Sequence, residues 1–265
     1  MPQSLADATP GLQPIIDASL LSSFEPDPEI LKENHIVAFN SRDMRSRPFS
    51  LLRTQLLKKM EEHGWKLVGI TSPTPGAGKS FLAANLAASL SRLPNQSTYL
   101  FDFDLRRSSL AKSFGMTGDA GLAEYLAGDC PDLTRFGRRI GESRLSIYPS
   151  YGQHFDSFEL LSGDRCMNLI EAMRTVADDA IILCDMPPAF ANDDAMVLGR
   201  ALDAYILVIE QGVTNRNQVR DCVRLMEPTP CLGSVLNRYE GGIGDPYGYG
   251  YGHNYGLKYG SYYSG

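Results

Sequence analysis

The chain has 265 residues, a length that suits one α/β domain with appendages and that can bury a substantial core. Its apolar content of 43% and charged content of 21% are those of an ordinary globular protein. A formal net charge of -6, without a long basic run, argues against nucleic acid as a partner.

The cysteines and the hydropathy pattern indicate the cellular compartment of the protein. The five cysteines are odd in number and show no Cys/His spacing typical of a metal site, which favours a reduced, cytosolic protein. No stretch approaches the roughly 18 apolar residues of a membrane span. The start, MPQSLADATPGLQ, lacks a basic segment followed by an apolar core, so no signal peptide is expected. The sequence therefore predicts a cytoplasmic location.

Local patterns predict the elements in chain order. Residues 1–45 are expected to form an arm, because SSFEPDPEI is polar and broken by prolines. Residues 48–63 predict an amphipathic helix with apolar side chains at helical spacing. Beyond it, strands are predicted at WKLVGI, TYLFDFD, LSIYPS, AIILCD, AYILVIE and LGSVLN, and helices at KSFLAANLAASLSRL, GLAEYLAG, CMNLIEAMRTVA and NRNQVRDCVRLM.

This alternation predicts an α/β fold with a doubly wound, mostly parallel sheet and helices on both of its faces. The predicted domain spans residues 46–240. Residues 241–265 have a different composition, with nine glycines, seven tyrosines and almost no aliphatic side chains. Such a segment cannot build a core, so we expect a disordered tail.

The segment TSPTPGAGKS lies between a predicted strand and a predicted helix. Gly76 and Gly78 allow the backbone to curl so that several N–H groups face one anion, and the helix adds its positive end. Lys79 would bring a positive charge to the β- and γ-phosphates, and Ser80 would offer a hydroxyl to Mg²⁺. Pro73 stands where the pattern GxxxxGK[ST] has its first glycine. A chance strand–turn–helix connection is the alternative interpretation.

Two predicted strands end in aspartates. LFDFDLRR places Asp102 and Asp104 on one face at a strand's carboxyl end, and AIILCDMPP ends its strand in Asp185. Ligands of α/β sheets gather at this edge, and an aspartate there commonly holds Mg²⁺ through water. Solvated strand ends are the alternative, but three elements in this order favour a site for ATP and Mg²⁺.

Together these motifs resemble those of the bacterial tyrosine kinases (BY-kinases) of capsule and exopolysaccharide export, relatives of the MinD/ParA P-loop ATPases. TSPTPGAGKS resembles the family's Walker A motif, LFDFDLRR its Walker A′ motif and ILCDMPP its Walker B motif. GLAEYLAG, SFELLSG and LGSVLNR resemble further family segments. The resemblance covers about residues 45–239.

The resemblance implies an ATP- and Mg²⁺-dependent protein-tyrosine autokinase that regulates polysaccharide polymerisation or export. It implies catalytic roles for Lys79, Asp102, Asp104 and Asp185, with Asp102 as the preferred base, and Mg²⁺ ligation by Ser80, Asp102 and Asp185. Nucleotide contacts are implied at Gly76, Ala77, Gly78, Lys79, Ser80, Phe81, Arg106 and Asn237. Asn237 would contact the base, and Arg106 would support the phosphates or a subunit contact.

The tail matches the family's autophosphorylation cluster. The candidate acceptors are Tyr247, Tyr249, Tyr251, Tyr255, Tyr259, Tyr262 and Tyr263. A phosphoryl acceptor must lie in line with the γ-phosphate, and a glycine-rich segment can present many tyrosines there. A low-complexity adhesive or passive tail is the alternative.

The resemblance also implies a transmembrane polysaccharide co-polymerase or adaptor on a separate chain, which would hold the kinase at the inner face of the membrane. It further implies self-association and a tyrosine phosphatase. The family's ring-forming Glu-x-x-Arg-x-x-Arg segment aligns with Arg47, Ser50 and Arg53, of which only Arg53 matches, so ring and dimer both stay open. A MinD/ParA-like switching ATPase, whose early loop lysine is replaced here by Thr74, and a non-catalytic nucleotide-binding scaffold are the alternative functions.

Overall fold

The computed structural model describes residues 14–152, 156–177 and 179–240. Its strands are β1 (Ser22–Phe24), β2 (Leu67–Thr71), β3 (Ser97–Asp102), β4 (Arg138–Ile140), β5 (Leu145–Tyr148), β6 (Ala180–Asp185), β7 (Ala204–Glu210) and β8 (Cys231–Asn237). They form one eight-stranded sheet in the order β1-β4-β5-β3-β6-β2-β7-β8. Neighbouring strands run parallel except β4 and β5, which are antiparallel.

The helices alternate with the strands along the chain. They are α1 (Pro28–Glu33), α2 (Arg47–His63), α3 (Lys79–Leu90), α4 (Leu110–Phe114), α5 (Leu122–Ala127), α6 (Ser157–Ser162), α7 (Asp164–Thr175), α8 (Asp194–Gly199) and α9 (Arg216–Leu225). Short 3-10 turns lie at Ala18–Leu20, Met44–Ser46 and Leu133–Arg135. α2 confirms the helix predicted at residues 48–63, and Gly64 ends it in the left-handed conformation at φ 67°.

Two apolar cores cover the two faces of the sheet. Along β3, Tyr99 and Phe101 pack into one core with α5, α6 and α7, whereas Leu100 packs into the other with α2 and α3. This alternation follows from the two-residue period of a strand. Helices on both faces of a mostly parallel sheet confirm the predicted fold class.

The described part of the arm packs against the sheet and α3. β1 pairs in parallel with β4 at one edge of the sheet. The buried side chain of Asn85, on α3, accepts hydrogen bonds from the N–H groups of Val37 and Ala38 at 2.9 and 3.2 Å and donates to the carbonyl of His35 at 3.1 Å. The arm is therefore attached to the helix that follows the glycine-rich loop. The division of the chain at residue 45 stays a prediction.

The sequence placed most strands within a few residues of their observed bounds. TYLFDFD was predicted to be a strand throughout, but β3 ends at Asp102, so Asp104 lies two residues beyond it. The predicted tail, residues 241–265, lies outside the described residues. Within the described ranges, none of the helices combines the length and the apolarity needed to cross a bilayer.

Candidate active site

The glycine-rich loop connects β2 to α3 at the carboxyl edge of the sheet. Gly76 and Gly78 have φ values of 88° and 91°, a region that residues with a Cβ seldom adopt. A Cβ at Gly78 would also overlap the side-chain amide of Asn237. Since the first N–H groups of α3 have no intrahelical acceptor, the loop and the helix start can present donors to an anion. The loop therefore has the local structure that its sequence predicted.

Lys79, the first residue of α3, lies among three carboxylates. Its Nζ is 2.7 Å from Asp104 Oδ2 and 3.6 Å from Asp185 Oδ1. Asp102 and Asp185 are register partners at the ends of β3 and β6, and both are fully buried. Burial alone would lower the pKa of Lys79, but the charges of Asp185 and Asp104 together raise it. Lys79 is therefore held as a cation in this cluster.

The carboxylates of this cluster outnumber its cations. Burial and the neighbouring charge of Asp185 raise the pKa of Asp102 well above its usual range, although Lys79 opposes the shift. Burial likewise raises the pKa of Asp185. Among the described residues, no donor lies in full hydrogen-bond geometry with Asp102 Oδ1 or with either carboxylate oxygen of Asp185, although Lys79 and Ser80 are near enough to Asp185 to oppose the rise of its pKa. Buried acceptors without donors are costly, which points to a ligand that supplies charge or donors here.

These unpaired oxygens fit a nucleotide-bound Mg²⁺. Ser80 follows Lys79, and its Oγ lies 3.3 Å from Lys79 Nζ, beside the same carboxylates. Within the described residues, no group of three or more His, Cys, Asp or Glu side chains is arranged to hold a metal on its own. Mg²⁺ in phosphate-binding sites takes few protein ligands and several from phosphates and water, so Ser80, Asp102 and Asp185 suffice.

Asn237 and Phe81 lie beside the loop. Asn237, at the end of β8, donates from Nδ2 to the carbonyl of Ala77 at 2.8 Å. The ring of Phe81 packs edge-to-face on that of Phe49 at 5.7 Å. Both residues line an apolar pocket of about 720 Å³ between α2, α3 and the end of β8. Both predicted nucleotide-contacting residues are thus adjacent to the loop.

Arg106 has other neighbours. Its Nε donates to Ser157 Oγ at 2.5 Å and lies 3.4 Å from Asp194 Oδ2, at the starts of α6 and α8. No motif in the sequence indicates a role for Ser157 or Asp194, although the acidic pair Asp193-Asp194 follows the DMPP motif by only a few residues. The seven tyrosines predicted as acceptors lie outside the described residues.

Comparison with known proteins identifies curated relatives, although no family model matches the chain. The tyrosine-protein kinase CpsD of Streptococcus agalactiae serotype III is 33% identical over 193 residues, which cover 72% of this chain and 81% of CpsD. The tyrosine-protein kinase etk of Escherichia coli K12 is 30% identical over 200 residues, covering 75% of this chain. That match spans only 27% of etk, so the chain corresponds to about a quarter of this longer relative.

Solved structures show the same fold. The kinase domain of Escherichia coli ETK superposes with a TM-score of 0.64 at 30% identity, covering 74% of this chain and 78% of that domain. The chimerical protein CapA2B2 has a TM-score of 0.71 at 23% identity, covering 83% of this chain and 92% of the chimera. MinD from Pyrococcus horikoshii, solved with Mg-ADP, has a TM-score of 0.56 at 22% identity, covering 66% of this chain and 70% of MinD. At the latter two identities the likeness concerns the fold alone. By its sequence match to CpsD, over most of both chains, the protein belongs to the bacterial tyrosine-protein kinase family.

Proposed function

We propose that the chain is an ATP-dependent protein-tyrosine autokinase that phosphorylates its own C-terminal tyrosine cluster. The observation that carries this proposal is the cluster at the carboxyl edge, where one buried lysine lies among three carboxylates, two of which, Asp102 and Asp185, have unpaired oxygens. Phosphoryl transfer requires mainly positioning and charge stabilisation, which such a cluster beside a glycine-rich loop can supply.

Each residue of the site has a proposed role that follows from its position. Gly76, Ala77 and Gly78 offer backbone N–H groups to the phosphates, and Lys79 adds its charge to the β- and γ-phosphates. Ser80, Asp102 and Asp185 would hold Mg²⁺, which would supply positive charge to the β- and γ-phosphates. Asn237 contacts the base beside Phe81, in agreement with its position at the loop.

Asp102 is the proposed base, by resemblance to the family and by its place at the carboxyl end of β3. A free tyrosine has a pKa of about 10, so a weakly basic carboxylate would accept its proton poorly. Without a bound metal ion, burial and the charge of Asp185 raise the pKa of Asp102. The tyrosine oxygen forms a bond to the γ-phosphorus, the bond between that phosphorus and the ADP oxygen breaks, and the phenolic proton passes to Asp102.

The position of β8 supports the tail as the acceptor. Asn237 contacts the loop, and the tyrosine-rich segment begins at residue 241, only four positions later. A flexible segment of about 16 residues would span roughly 20–25 Å, enough to reach its own site or that of a second copy. The proposed acceptors are Tyr247, Tyr249, Tyr251, Tyr255, Tyr259, Tyr262 and Tyr263.

Membership of the family supports the wider setting that we propose. A membrane co-polymerase or adaptor on a separate chain would hold the kinase at the inner face of the membrane, where its phosphorylation state regulates exopolysaccharide or capsule export. Self-association and a tyrosine phosphatase complete the proposed cycle. Each phosphate adds about -1.5 to -2 charges, so a heavily modified tail would be repelled by an acidic site.

The test is mass spectrometry of the intact chain and of its tail peptides after incubation with Mg²⁺ and ATP. Lys79→Met is the inactive comparison, and Lys58→Met on the exposed surface of α2 is the matched control. We expect phosphates on residues 247–263 in the parent protein and in Lys58→Met, but none in Lys79→Met. An unmodified tail in the parent protein, with candidate adaptor fragments added, would contradict the proposal.

A MinD/ParA-like switching ATPase is the second candidate, because MinD solved with Mg-ADP shares this fold. It predicts release of inorganic phosphate without modification of the tail. Measuring phosphate release in the same incubation distinguishes the two functions. Nucleotide binding with neither release nor transfer would instead indicate a non-catalytic scaffold.

A further inference from the structure

A polar cluster follows the strand ends at the carboxyl edge of the sheet, the edge that carries the candidate nucleotide site; it is formed by Arg106, Ser157, Asn192 and Asp194 and is here called the Arg106 cluster. The neighbouring parallel strands β5, β3 and β6 end at the same edge of the sheet. The segments that follow them bring Ser157, Arg106 and Asp194 into contact. Arg106 is two residues from Asp104, whose carboxylate contacts Lys79.

The contacts of this cluster converge on one carboxylate oxygen. Asp194 Oδ2 accepts hydrogen bonds from Ser157 Oγ at 2.5 Å and from Asn192 Nδ2 at 2.8 Å. The same oxygen lies 3.4 Å from Arg106 Nε, which also donates to Ser157 Oγ at 2.5 Å. Asp194 is 1% exposed, and Ser157 is fully buried. The carboxylate is therefore fixed from three sides.

Arg106 is the ion-pair partner of this buried carboxylate within the described part of the chain. A buried carboxylate without a cation is strongly unfavourable, so the pair constrains where the guanidinium lies. Asp194 Oδ1 has no donor among the described residues, which leaves the charge incompletely compensated. The arginine is consequently held by its Nε, although its side chain is 51% exposed.

The terminal nitrogens of Arg106 are differently placed. The contact that the structure gives them is a long one, 3.9 Å from Nη2 to Oδ1 of the exposed Asp156. A guanidinium held at Nε keeps a planar pair of N–H donors that matches two oxygens of a phosphoryl group. A lysine could not make both sets of contacts.

We propose that Asp194 and Ser157 are positioning residues, which hold Arg106 by its Nε so that its terminal nitrogens bind the phosphoryl group during transfer. This inference rests on the proposed function and deepens it. Arg106 would then stabilise charge that develops only in the reaction, so its loss lowers kcat more than it raises KM for ATP.

The test compares three single variants with one control variant. Asp194→Asn removes the charge, Ser157→Ala removes the bridging hydroxyl, and Arg106→Lys keeps a charge without the planar fork. The matched control is Arg174→Lys, because Arg174 pairs with Asp203 at 2.6 Å on the opposite edge of the sheet. For each, kcat and KM for tail phosphorylation, ADP affinity and the melting temperature are measured.

We expect kcat to fall about 10- to 100-fold in Asp194→Asn and Arg106→Lys, and less in Ser157→Ala, with ADP affinity unchanged. The double variant Asp194→Asn/Arg106→Ala should be no slower than Arg106→Ala alone, since one residue acts through the other. Arg174→Lys should keep kcat. Parent-like kcat in Asp194→Asn and Ser157→Ala, or losses that multiply in the double variant, would overturn the inference.

Misfolding of a variant and the absence of kinase activity in the parent protein are two distinct outcomes. If Asp194→Asn does not fold, Ser157→Ala and the half-exposed Arg106→Lys decide the question. If the parent protein transfers no phosphate to tyrosine, the proposed function fails, and phosphate release from ATP becomes the readout for the same variants. The same ranking of release rates would support the Arg106 cluster, and equal rates would overturn it.

Discussion

The two edges of the sheet use similar charged side chains in opposite ways. At the amino edge, Asp203 accepts from the backbone N–H groups of Lys66 and Leu67 at 2.7 and 2.8 Å and from Arg174 at 2.6 Å. Burial alone would raise the pKa of Asp203, but these hydrogen bonds together lower it. At the carboxyl edge, burial raises the pKa values of Asp102 and Asp185, whose oxygens are largely unpaired.

This difference separates a stabilising carboxylate from one reserved for a ligand. Asp203 joins the starts of β2 and β7, because its bonds reach the residues that precede and begin β2. Asp102 and Asp185 destabilise the unliganded protein, since their charges are buried beside one another. A bound cation and phosphates would reverse that penalty. The carboxylates at the carboxyl edge are therefore placed for ligand binding, whereas the carboxylate at the amino edge stabilises the fold.

The largest expected effect is on activity at the carboxyl edge. Replacing Lys79 by Met removes the cation that faces the phosphates, so we expect transfer or hydrolysis to fall at least on the order of 10²–10³-fold. Steady-state rates with Mg²⁺ and ATP check this. Lys58→Met, an exposed change on α2, should keep the parent rate. Loss of activity in both variants would mean that the effect is not specific to the loop.

The next effect is on stability at the amino edge. Asp203→Asn replaces a charged acceptor of three hydrogen bonds with an amide, so the free energy of unfolding should fall by about 2 kcal/mol. Asp102→Asn should have the opposite sign in the unliganded protein and raise it by about 1 kcal/mol. Urea denaturation without nucleotide measures both. A loss of stability in Asp102→Asn would contradict the claim that carboxylates at the two edges affect stability in opposite directions.

A smaller effect concerns the glycines. Gly78→Ala forces a Cβ onto a residue at φ 91° and against the Asn237 amide, whereas Gly64→Ala meets a similar φ of 67° with open space around it. Gly64→Ala should therefore cost about 1 kcal/mol for the backbone strain alone. Gly78→Ala should cost more and also weaken nucleotide binding. Thermal unfolding and nucleotide titration compare them, and equal costs would show that the contact with Asn237 is not tight.

The smallest effect is the pH dependence. The folded pKa of Asp102 is raised, so its favourable contribution is present below about pH 4 and is lost as the pH rises through the folded value. The folded pKa of Asp203 is lowered. Its contribution to stability is therefore present above about pH 4, the unfolded value, and is lost as the pH falls through the folded pKa. The advantage of Asp102→Asn over the parent should thus grow between pH 4 and 7. A constant advantage in urea denaturation across this range would contradict the assignment.

Local patterns predicted six of the eight described strands, because those six are apolar runs bounded by turns. β1 and β4 are three residues long, too short for a pattern, and their pairing depends on residues more than 100 positions apart. Their place in the sheet was therefore beyond a local analysis.

The candidate site was predicted in part for a similar reason. Lys79, Asp102 and Asp185 follow from motifs that end at one edge of a parallel sheet, and the structure brings them together. The contacts of Arg106 with Ser157 and Asp194 join three separate segments, so no local spacing indicates them. Side-chain partners of this kind become visible only when the strand order is known.

The central claim is that the carboxylates of the carboxyl edge serve ligand binding, whereas Asp203 at the amino edge serves folding. Calorimetric titration of Mg·ATP into Asp185→Asn, Asp203→Asn and the parent protein tests it most directly. Each variant removes one negative charge, from the fully buried Asp185 at the carboxyl edge or from the partly buried Asp203 at the amino edge. The predicted result is that Asp185→Asn loses affinity for Mg·ATP by at least about tenfold while its unliganded form stays at least as stable as the parent, since one charge-assisted contact is worth about 1.5–3 kcal/mol. Asp203→Asn should lose stability and keep its affinity. Parent-like affinity in Asp185→Asn, together with lower stability, would contradict the account.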